Sequence, residues 1–143
     1  IFTLFQNRVD NVKKTLLKFL KNIPSKDIMG YWASTKGKIV LNHLNLTKKD
    51  LPYICDANPF KFNRYTPESN IKIISKKEMR KRNPKYLLVL IWSFRSEVIK
   101  QEIEYIKRGG KLIFHLPIFH IIDKYNYKKY LNSKFDSMSY SIN

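Results

Sequence analysis

The chain has 143 residues, of which 43% are hydrophobic and 14% aromatic, so it can bury the core of one domain and is not a disordered polymer. Lys and Arg number 28 against 11 Asp and Glu, for a formal net charge of +17. These basic residues are spread through every predicted helix and loop, which favours a solvated basic surface over a nucleic-acid footprint. The single cysteine, Cys55, excludes an intrachain disulfide and fits a reducing, cytoplasmic setting. No apolar run reaches the length of a membrane span.

Apolar residues recur at steps of three and four near the start of the chain: Val9, Val12, Leu16, Phe19, Leu20 and Ile23. This spacing predicts an amphipathic helix over about residues 3–22, ended by Pro24. We expect residues 1–26 to pack on a sheet or to join the domain to an upstream part of the protein. The run 27–31 predicts the first strand, and the apolar positions that follow the turn at 32–37 predict a second helix.

Two further strands are predicted on either side of a long loop. The apolar runs 51–56 and 71–74 are the strands, and residues 57–68 between them are rich in Pro, Asn and aromatic side chains. Loops of this length are commonly functional. Ser75 and Glu78 then form a capping box, which predicts the start of a short basic helix.

The continuous apolar run 86–91 is typical of a parallel strand buried on both faces, so we expect it at the centre of the sheet. Ser93 is the predicted N-cap of the next helix, which the pair Gly109 and Gly110 ends. The run 111–116 predicts the last strand. Residues 119–143 show no periodicity and are predicted to form an irregular tail.

This alternation of strands and helices predicts an α/β fold over residues 27–118. We expect a Rossmann-like three-layer sandwich with a five-stranded parallel sheet in the order 3-2-1-4-5. The strand order reverses between the first strand and the strand at 86–91, and the loops that follow the strands open on one edge of the sheet. Because a helix N-terminus in such a loop directs its N–H groups at an anion, the sequence predicts a ligand that carries phosphate.

The candidate ligand contacts lie in the three loops at that edge. They are Gly30, Ser34, Thr35, Lys36 and Gly37; Asp56, Asn58, Lys61, Arg64 and Tyr65; and Trp92, Phe94 and Arg95. The cations would neutralise phosphate, Asp56 would accept hydrogen bonds from a ribose, and the aromatic rings would stack on a base or sugar. Each has a structural alternative: a solvated lysine, a loop-capping carboxylate or a core aromatic ring. The three histidines lack the spacing of metal ligands, so no metal site is predicted.

Four stretches are similar, in order and spacing, to the C-terminal domain of SAM-dependent C-methyltransferases, enzymes that act on nucleotide-linked deoxysugars. These stretches are 30–37, 56–67, 92–95 and 108–117. The likeness runs from about Val9 to Ile122. Two positions depart from the family pattern, since Trp32 stands where the family usually has Gly and Ser93 where it commonly has His or Asn.

The resemblance implies an enzyme of three parts: a zinc-binding N-terminal region, a central SAM-binding catalytic domain and a Rossmann-like C-terminal domain that helps to hold the sugar nucleotide. This chain corresponds to the third part, so no catalytic residue and no cofactor are expected within it, and SAM is implied for the whole enzyme. The implied partners are a nucleotide-linked sugar and the upstream SAM-binding domain. The alternative is a free-standing Rossmann-like module whose basic surface contacts RNA or a larger assembly, which Trp32 and the high charge favour.

Overall fold

The computed structural model describes residues 2–115 and 118–131. The helices are α1 (Phe2–Lys21), α2 (Thr35–His43), α3 (Lys76–Arg82), α4 (Arg95–Gln101), α5 (Ile103–Lys107) and α6 (Tyr127–Leu131). The strands are β1 (Ile28–Tyr31), β2 (Tyr53–Asp56), β3 (Lys72–Ser75), β4 (Tyr86–Val89), β5 (Lys111–Phe114) and β6 (His120–Ile122).

These six strands form one sheet in the order β3-β2-β1-β4-β5-β6. The first five pair in parallel, as predicted, and β6 adds an antiparallel edge to β5. The predicted strand order is therefore confirmed, with one strand more than the sequence indicated.

Helices cover both faces of the sheet, so the molecule has two apolar cores. Leu16 of α1 and Leu41 of α2 lie in the core on one face. Helices α3 to α6 cover the other face, where Val98 and Ile106 are buried. Strand β4 contributes to both cores, because Leu88 faces α1 and α2 whereas its neighbours in the strand face α3 to α6. This two-sided burial explains the continuous apolar run at 86–91 and confirms its central position.

The prediction of an irregular tail is wrong for residues 120–131. Leu112 and Phe114 of β5 pair with Ile122 and His120 of β6, and Tyr127 of α6 is buried against the same face. A strand of three residues is too short to show a period of two, so tertiary pairing determines its structure. Residues 132–143 of the predicted tail lie outside the described residues.

The segment after β4 also differs from its prediction. Residues Trp92–Phe94 form a 3₁₀ turn, and α4 begins at Arg95 without a side-chain cap, so Ser93 is not the N-cap. The single predicted helix is divided at Glu102, whose backbone leaves the helical region (φ −111°, ψ 25°). At this junction the Glu102 carboxylate points inward to buried partners, a long-range contact that helical periodicity does not show.

Candidate functional site

Three loops meet where the parallel strands end: residues 32–34 after β1, residues 57–71 after β2 and residues 90–94 after β4. Nζ of Lys61 donates a 2.9 Å hydrogen bond to the carbonyl oxygen of Ala33, which joins the first two loops. The rings of Trp32 and Phe94 stack with centroids 5.0 Å apart, which joins the first loop to the third. The predicted convergence of the loops is confirmed, and we call this surface the carboxyl edge.

The turn between β1 and α2 is held rigidly. Oγ of Ser34 accepts a 3.1 Å hydrogen bond from the amide of Gly37 and so caps α2. A Cβ atom on Gly37 would lie 2.7 Å from the carbonyl oxygen of Trp32, so the first turn of α2 can approach the loop only because glycine stands there. Thr35 is the first residue of the helix, and Lys36 beside it is exposed.

Asp56 ends β2 with a nearly buried carboxylate, since its side chain is 7% exposed. Oδ1 accepts a 2.9 Å hydrogen bond from the amide of Asn58. Nζ of Lys61 lies 3.6 Å from Oδ2, and Oδ2 has no hydrogen-bond partner within the described part of the chain. A buried carboxylate oxygen without a donor is uncommon, which marks this position as a candidate ligand contact.

The long loop after β2 has its own ordered structure. The side chain of Asn58 accepts a 3.1 Å hydrogen bond from the amide of Phe60 and caps a 3₁₀ turn over Pro59–Lys61. The Phe60 side chain is 84% exposed on this turn, a feature that the sequence analysis missed. The sequence does not indicate that this ring is exposed, because phenylalanine in a loop can be either buried or exposed.

Two of the predicted contacts lie away from Asp56. The amide of Ile73 donates a 2.8 Å hydrogen bond to the carbonyl oxygen of Arg64, and Tyr65 forms a bridge with Lys72 at the start of β3. The loop thus folds back along the outer side of β3 and satisfies the backbone groups of that strand. Arg64 and Tyr65 are exposed, but the structure places them beside β3 rather than at the carboxyl edge.

The predicted contacts after β4 divide in the same way. Phe94 is 44% exposed and stacks on Trp32, whereas Trp92 is partly buried against the core under α3 to α6. Arg95 is 3% exposed, and its guanidinium lies 4.8 Å from the centre of the Tyr130 ring. Burial lowers the pKa of Arg95. The structure therefore places Arg95 against α6 and not at the carboxyl edge.

Gly30 lies inside β1 and is buried. A Cβ atom there would come within 3.0 Å of Cγ1 of Ile54 on β2. The absence of a side chain thus serves the packing of the two strands, and Gly30 faces no open space at the carboxyl edge.

A buried polar network lies behind the end of β1. The Tyr31 hydroxyl donates to Glu102 at 2.8 Å, and Arg80 makes two hydrogen bonds of 3.0 and 2.7 Å to the same carboxylate. Burial, and next the charge of Glu102, raises the pKa of Tyr31.

Burial likewise raises the pKa of the Cys55 thiol to about 12, so this cysteine packs as a neutral group, as the sequence analysis expected.

A separate cleft of about 370 Å³ lies at the opposite edge, where the strands begin. Its lining includes Ile28, Tyr53, Arg82 and Pro84.

The described residues contain no cluster of His, Cys, Asp or Glu that could hold a metal ion. Within those same ranges, no helix has both the length and the apolar character needed to cross a membrane.

The fold and the carboxyl edge define a Rossmann-like α/β domain, in which ligands bind beyond the carboxyl ends of the strands. The chain belongs to the C-methyltransferase C-terminal domain family, whose profile matches residues 1–117. The resemblance predicted from the four sequence stretches is therefore confirmed.

One relative and one solved structure place the chain in context. The C-methyltransferase NovU of Streptomyces niveus is 28% identical over 115 residues, which cover 79% of this chain and 27% of NovU. The chain thus spans about a quarter of the length of the curated relative that it matches. UDP-D-quinovosamine 4-dehydrogenase from Vibrio fischeri superposes with a TM-score of 0.42 at 17% identity, over 74% of this chain and 85% of that chain.

Proposed function

We propose that this chain is the part of a C-methyltransferase that holds a nucleotide-linked sugar at the carboxyl edge. S-adenosylmethionine and the methyl transfer belong, in this proposal, to another part of the enzyme. Membership of the C-methyltransferase C-terminal domain family supports this division, because the matched region is 27% of NovU and most of such an enzyme lies outside it.

The observation that carries the proposal is the pairing of Asp56 with Lys61. Oδ2 of Asp56 has no hydrogen-bond donor in the described structure, and the Lys61 ammonium covers it at 3.6 Å. A ribose or sugar hydroxyl that displaces the ammonium group would donate to this oxygen, as acids at this position do in nucleotide-binding folds. The displaced ammonium would then be available to a phosphate oxygen, so one movement would serve both parts of the ligand.

The neighbouring groups suit the same ligand. Lys36 is exposed on the first turn of α2, where the positive end of the helix dipole also favours an anion, and Ser34 contributes a hydroxyl group at the N-cap of that turn. Phe60 offers an exposed ring next to Lys61 on which a base or sugar could stack. Together these groups provide donors, a cation and an apolar surface around one buried carboxylate.

The carboxyl edge differs from the site in which a domain of this fold would bind a cofactor such as S-adenosylmethionine. The rings of Trp32 and Phe94 stack between the loops that follow β1 and β4, where a cofactor of this fold lies. When bound elsewhere in the enzyme, S-adenosylmethionine supplies the methyl group, and the proposed role of this chain is to position the acceptor. We assign no catalytic residue among the described residues.

Thermal-shift titration tests the proposed function. We expect UDP, dTDP or their sugars to raise the melting temperature, and an equal concentration of inorganic phosphate to have no such effect. The variants Asp56→Asn and Lys61→Met should weaken nucleotide binding by about tenfold or more, equivalent to about 1.4 kcal/mol. Lys26→Met removes an exposed lysine at the opposite edge and serves as the matched charge control.

The net charge of +17 favours one other function, a basic module that contacts RNA. In that case polyuridylate would stabilise the chain, moderate salt would abolish the effect, and nucleotide sugars would have none. Such a result would replace the proposal, because specific recognition by Asp56 depends much less on ionic strength than phosphate attraction over a basic surface does.

A further inference from the structure

We infer that Trp32 and Phe94 form a specificity-determining pair, which closes the half of the carboxyl edge between β1 and β4. The half between β1 and β2, around Asp56 and Lys61, is left for the ligand. This inference rests on the proposed function, since it states which nucleotides the proposed site accepts. A single nucleoside diphosphate with its sugar is accepted, and a dinucleotide is rejected.

The position of the pair is the first argument. The strand order reverses between β1 and β4, where Tyr31 and Val89 are register partners. In open α/β sheets a dinucleotide lies across this point, with one half on each side of it. Trp32 follows directly on β1 and Phe94 lies in the turn after β4, and their rings stack with an interplanar angle of 29°. The two aromatic side chains therefore occupy the space that the second nucleoside would need.

The backbone on both sides of Trp32 is fixed, which is the second argument. The amide of Trp32 donates a 2.8 Å hydrogen bond to the carbonyl oxygen of Cys55, and its own carbonyl oxygen accepts a 3.0 Å bond from the amide of Ser34. Its φ angle of +79° lies in the left-handed region, so the side chain leaves the backbone in a different direction from that of a residue in an extended strand. The ammonium of Lys76 also lies 5.8 Å from the centre of an indole ring. The indole is thus part of the packed structure and not a loop side chain that a weak ligand displaces.

The groups on the other side of β1 are the third argument. Asp56 and Lys61 supply a buried acceptor and a cation at the end of β2, and Lys61 reaches the loop after β1 through its 2.9 Å hydrogen bond to the carbonyl oxygen of Ala33. The Asp56–Lys61 pair that carries the proposed function therefore lies on that side of β1. In the other half, between β1 and β4, the aromatic pair presents only ring surface to a ligand. Phe94 is the more exposed of the two rings.

Affinity measurements on the full chain test this inference. We would determine the affinities of UDP, dTDP and NAD⁺ by calorimetry for the wild type, Trp32→Gly and Phe94→Ala. Glycine adopts a φ of +79° without strain, and Phe94 is half-exposed, so both variants should keep the fold. We expect NAD⁺ to bind each variant at least about tenfold more tightly than the wild type, with a smaller change for UDP.

Equal affinity of NAD⁺ for the wild type and both variants would overturn the inference, whatever the result with UDP. Absence of UDP or dTDP binding, together with a gain for NAD⁺ in the variants, would instead reject the proposed function and retain the role of the pair. The two ideas therefore fail in different ways.

Fluorescence gives a second readout that does not depend on affinity. In a Trp92→Phe background, Trp32 is the remaining tryptophan, and acrylamide quenching reports its exposure. We expect quenching several-fold weaker than for a free indole, and no change on saturation with UDP. Quenching equal to that of the free indole, or a large increase on binding UDP, would show that the pair does not close this half of the edge.

Discussion

The hydroxyl of Tyr31 donates a 2.8 Å hydrogen bond to Glu102, a residue 71 positions further along the chain. Arg80 of α3 makes two hydrogen bonds to the same carboxylate, whose side chain is fully buried. One carboxylate thus joins the carboxyl end of β1 to α3 and to the junction of α4 and α5. Since Trp32 follows Tyr31 directly, this network also supports the loop at the carboxyl edge.

Removal of this carboxylate should destabilise the fold. Glu102→Ala removes the 2.8 Å buried acceptor of the Tyr31 hydroxyl, which keeps the longer 3.4 Å bond to Gln101, and it leaves Arg80 without its ion pair. Because Arg80 is 43% exposed and can turn to water, we expect a loss of about 2–3 kcal/mol rather than the full cost of an isolated buried charge. Urea denaturation measures this loss. Glu78→Ala, which breaks the exposed pair with Arg82, is the control and should cost less than about 1 kcal/mol.

The left-handed backbone at Trp32 leads to a paired prediction. Trp32→Gly and Trp32→Ala remove the same ring and lose the same stacking on Phe94, but only glycine adopts φ +79° without steric cost. We therefore expect the glycine variant to be more stable than the alanine variant by about 1 kcal/mol. Thermal or urea unfolding of the two proteins side by side decides this. Equal stabilities would mean that the loop relaxes to a different backbone conformation when the indole is absent.

Gly37 should be intolerant of even a methyl group. In Gly37→Ala the new Cβ would lie 2.7 Å from the carbonyl oxygen of Trp32, an atom that the surrounding hydrogen bonds hold in place. Alanine is a better helix former than glycine, yet the overpacking should dominate and destabilise the protein by about 1–3 kcal/mol. Lys36→Ala, on the exposed side of the same turn, should change stability by less than about 0.5 kcal/mol. A stable Gly37→Ala protein would contradict the close approach of α2 to this loop.

Acid should weaken the fold through His115. Burial, with a smaller effect of nearby His43, lowers the pKa of His115 from 6.5 to about 4. The unfolded chain therefore binds a proton between these two values that the folded chain does not, so the free energy of unfolding falls as the pH drops from about 6.5 to about 4. The fall should be about 2–3 kcal/mol and should level off below that range.

His115→Leu should remove most of this dependence, as urea unfolding at a series of pH values would show. Burial also lowers the pKa of His120, so a smaller dependence of the same sign should remain in the variant. An unchanged slope would mean that His115 is accessible to water in the folded state. His43→Gln, at an exposed position, should leave the slope largely as in the wild type.

Much of the fold could be predicted because local chemistry and global packing agree. The run at 86–91 indicated a strand buried on both faces, and Ser75 caps α3 by accepting from the amide of Glu78, as the capping box predicted. Strand β6 and the break at Glu102 could not be predicted in this way. Both depend on contacts between residues far apart in the chain, with β5 in one case and with Tyr31 in the other.

The candidate site was predictable in position but not in composition. The convergence of the three loops follows from the parallel sheet, and Asp56 lies at the end of β2 as expected. The placement of Arg95 against Tyr130 arises from α6, an element that the sequence did not reveal. Likewise Arg64 lies beside β3 because its loop forms backbone hydrogen bonds with that strand. The pattern of side chains in the sequence does not indicate these bonds.

The central claim is that a nucleotide-linked sugar binds at the carboxyl edge, between the ends of β1 and β2. Its most direct test is a titration of the ¹⁵N-labelled chain with UDP and with a UDP-linked sugar, followed by amide chemical shifts. The account predicts saturable shifts concentrated in residues 32–37 and 56–61, which are lost in Asp56→Asn. Shifts concentrated instead around Ile28, Tyr53 and Pro84 at the opposite cleft, or no saturable shifts at all, would contradict it.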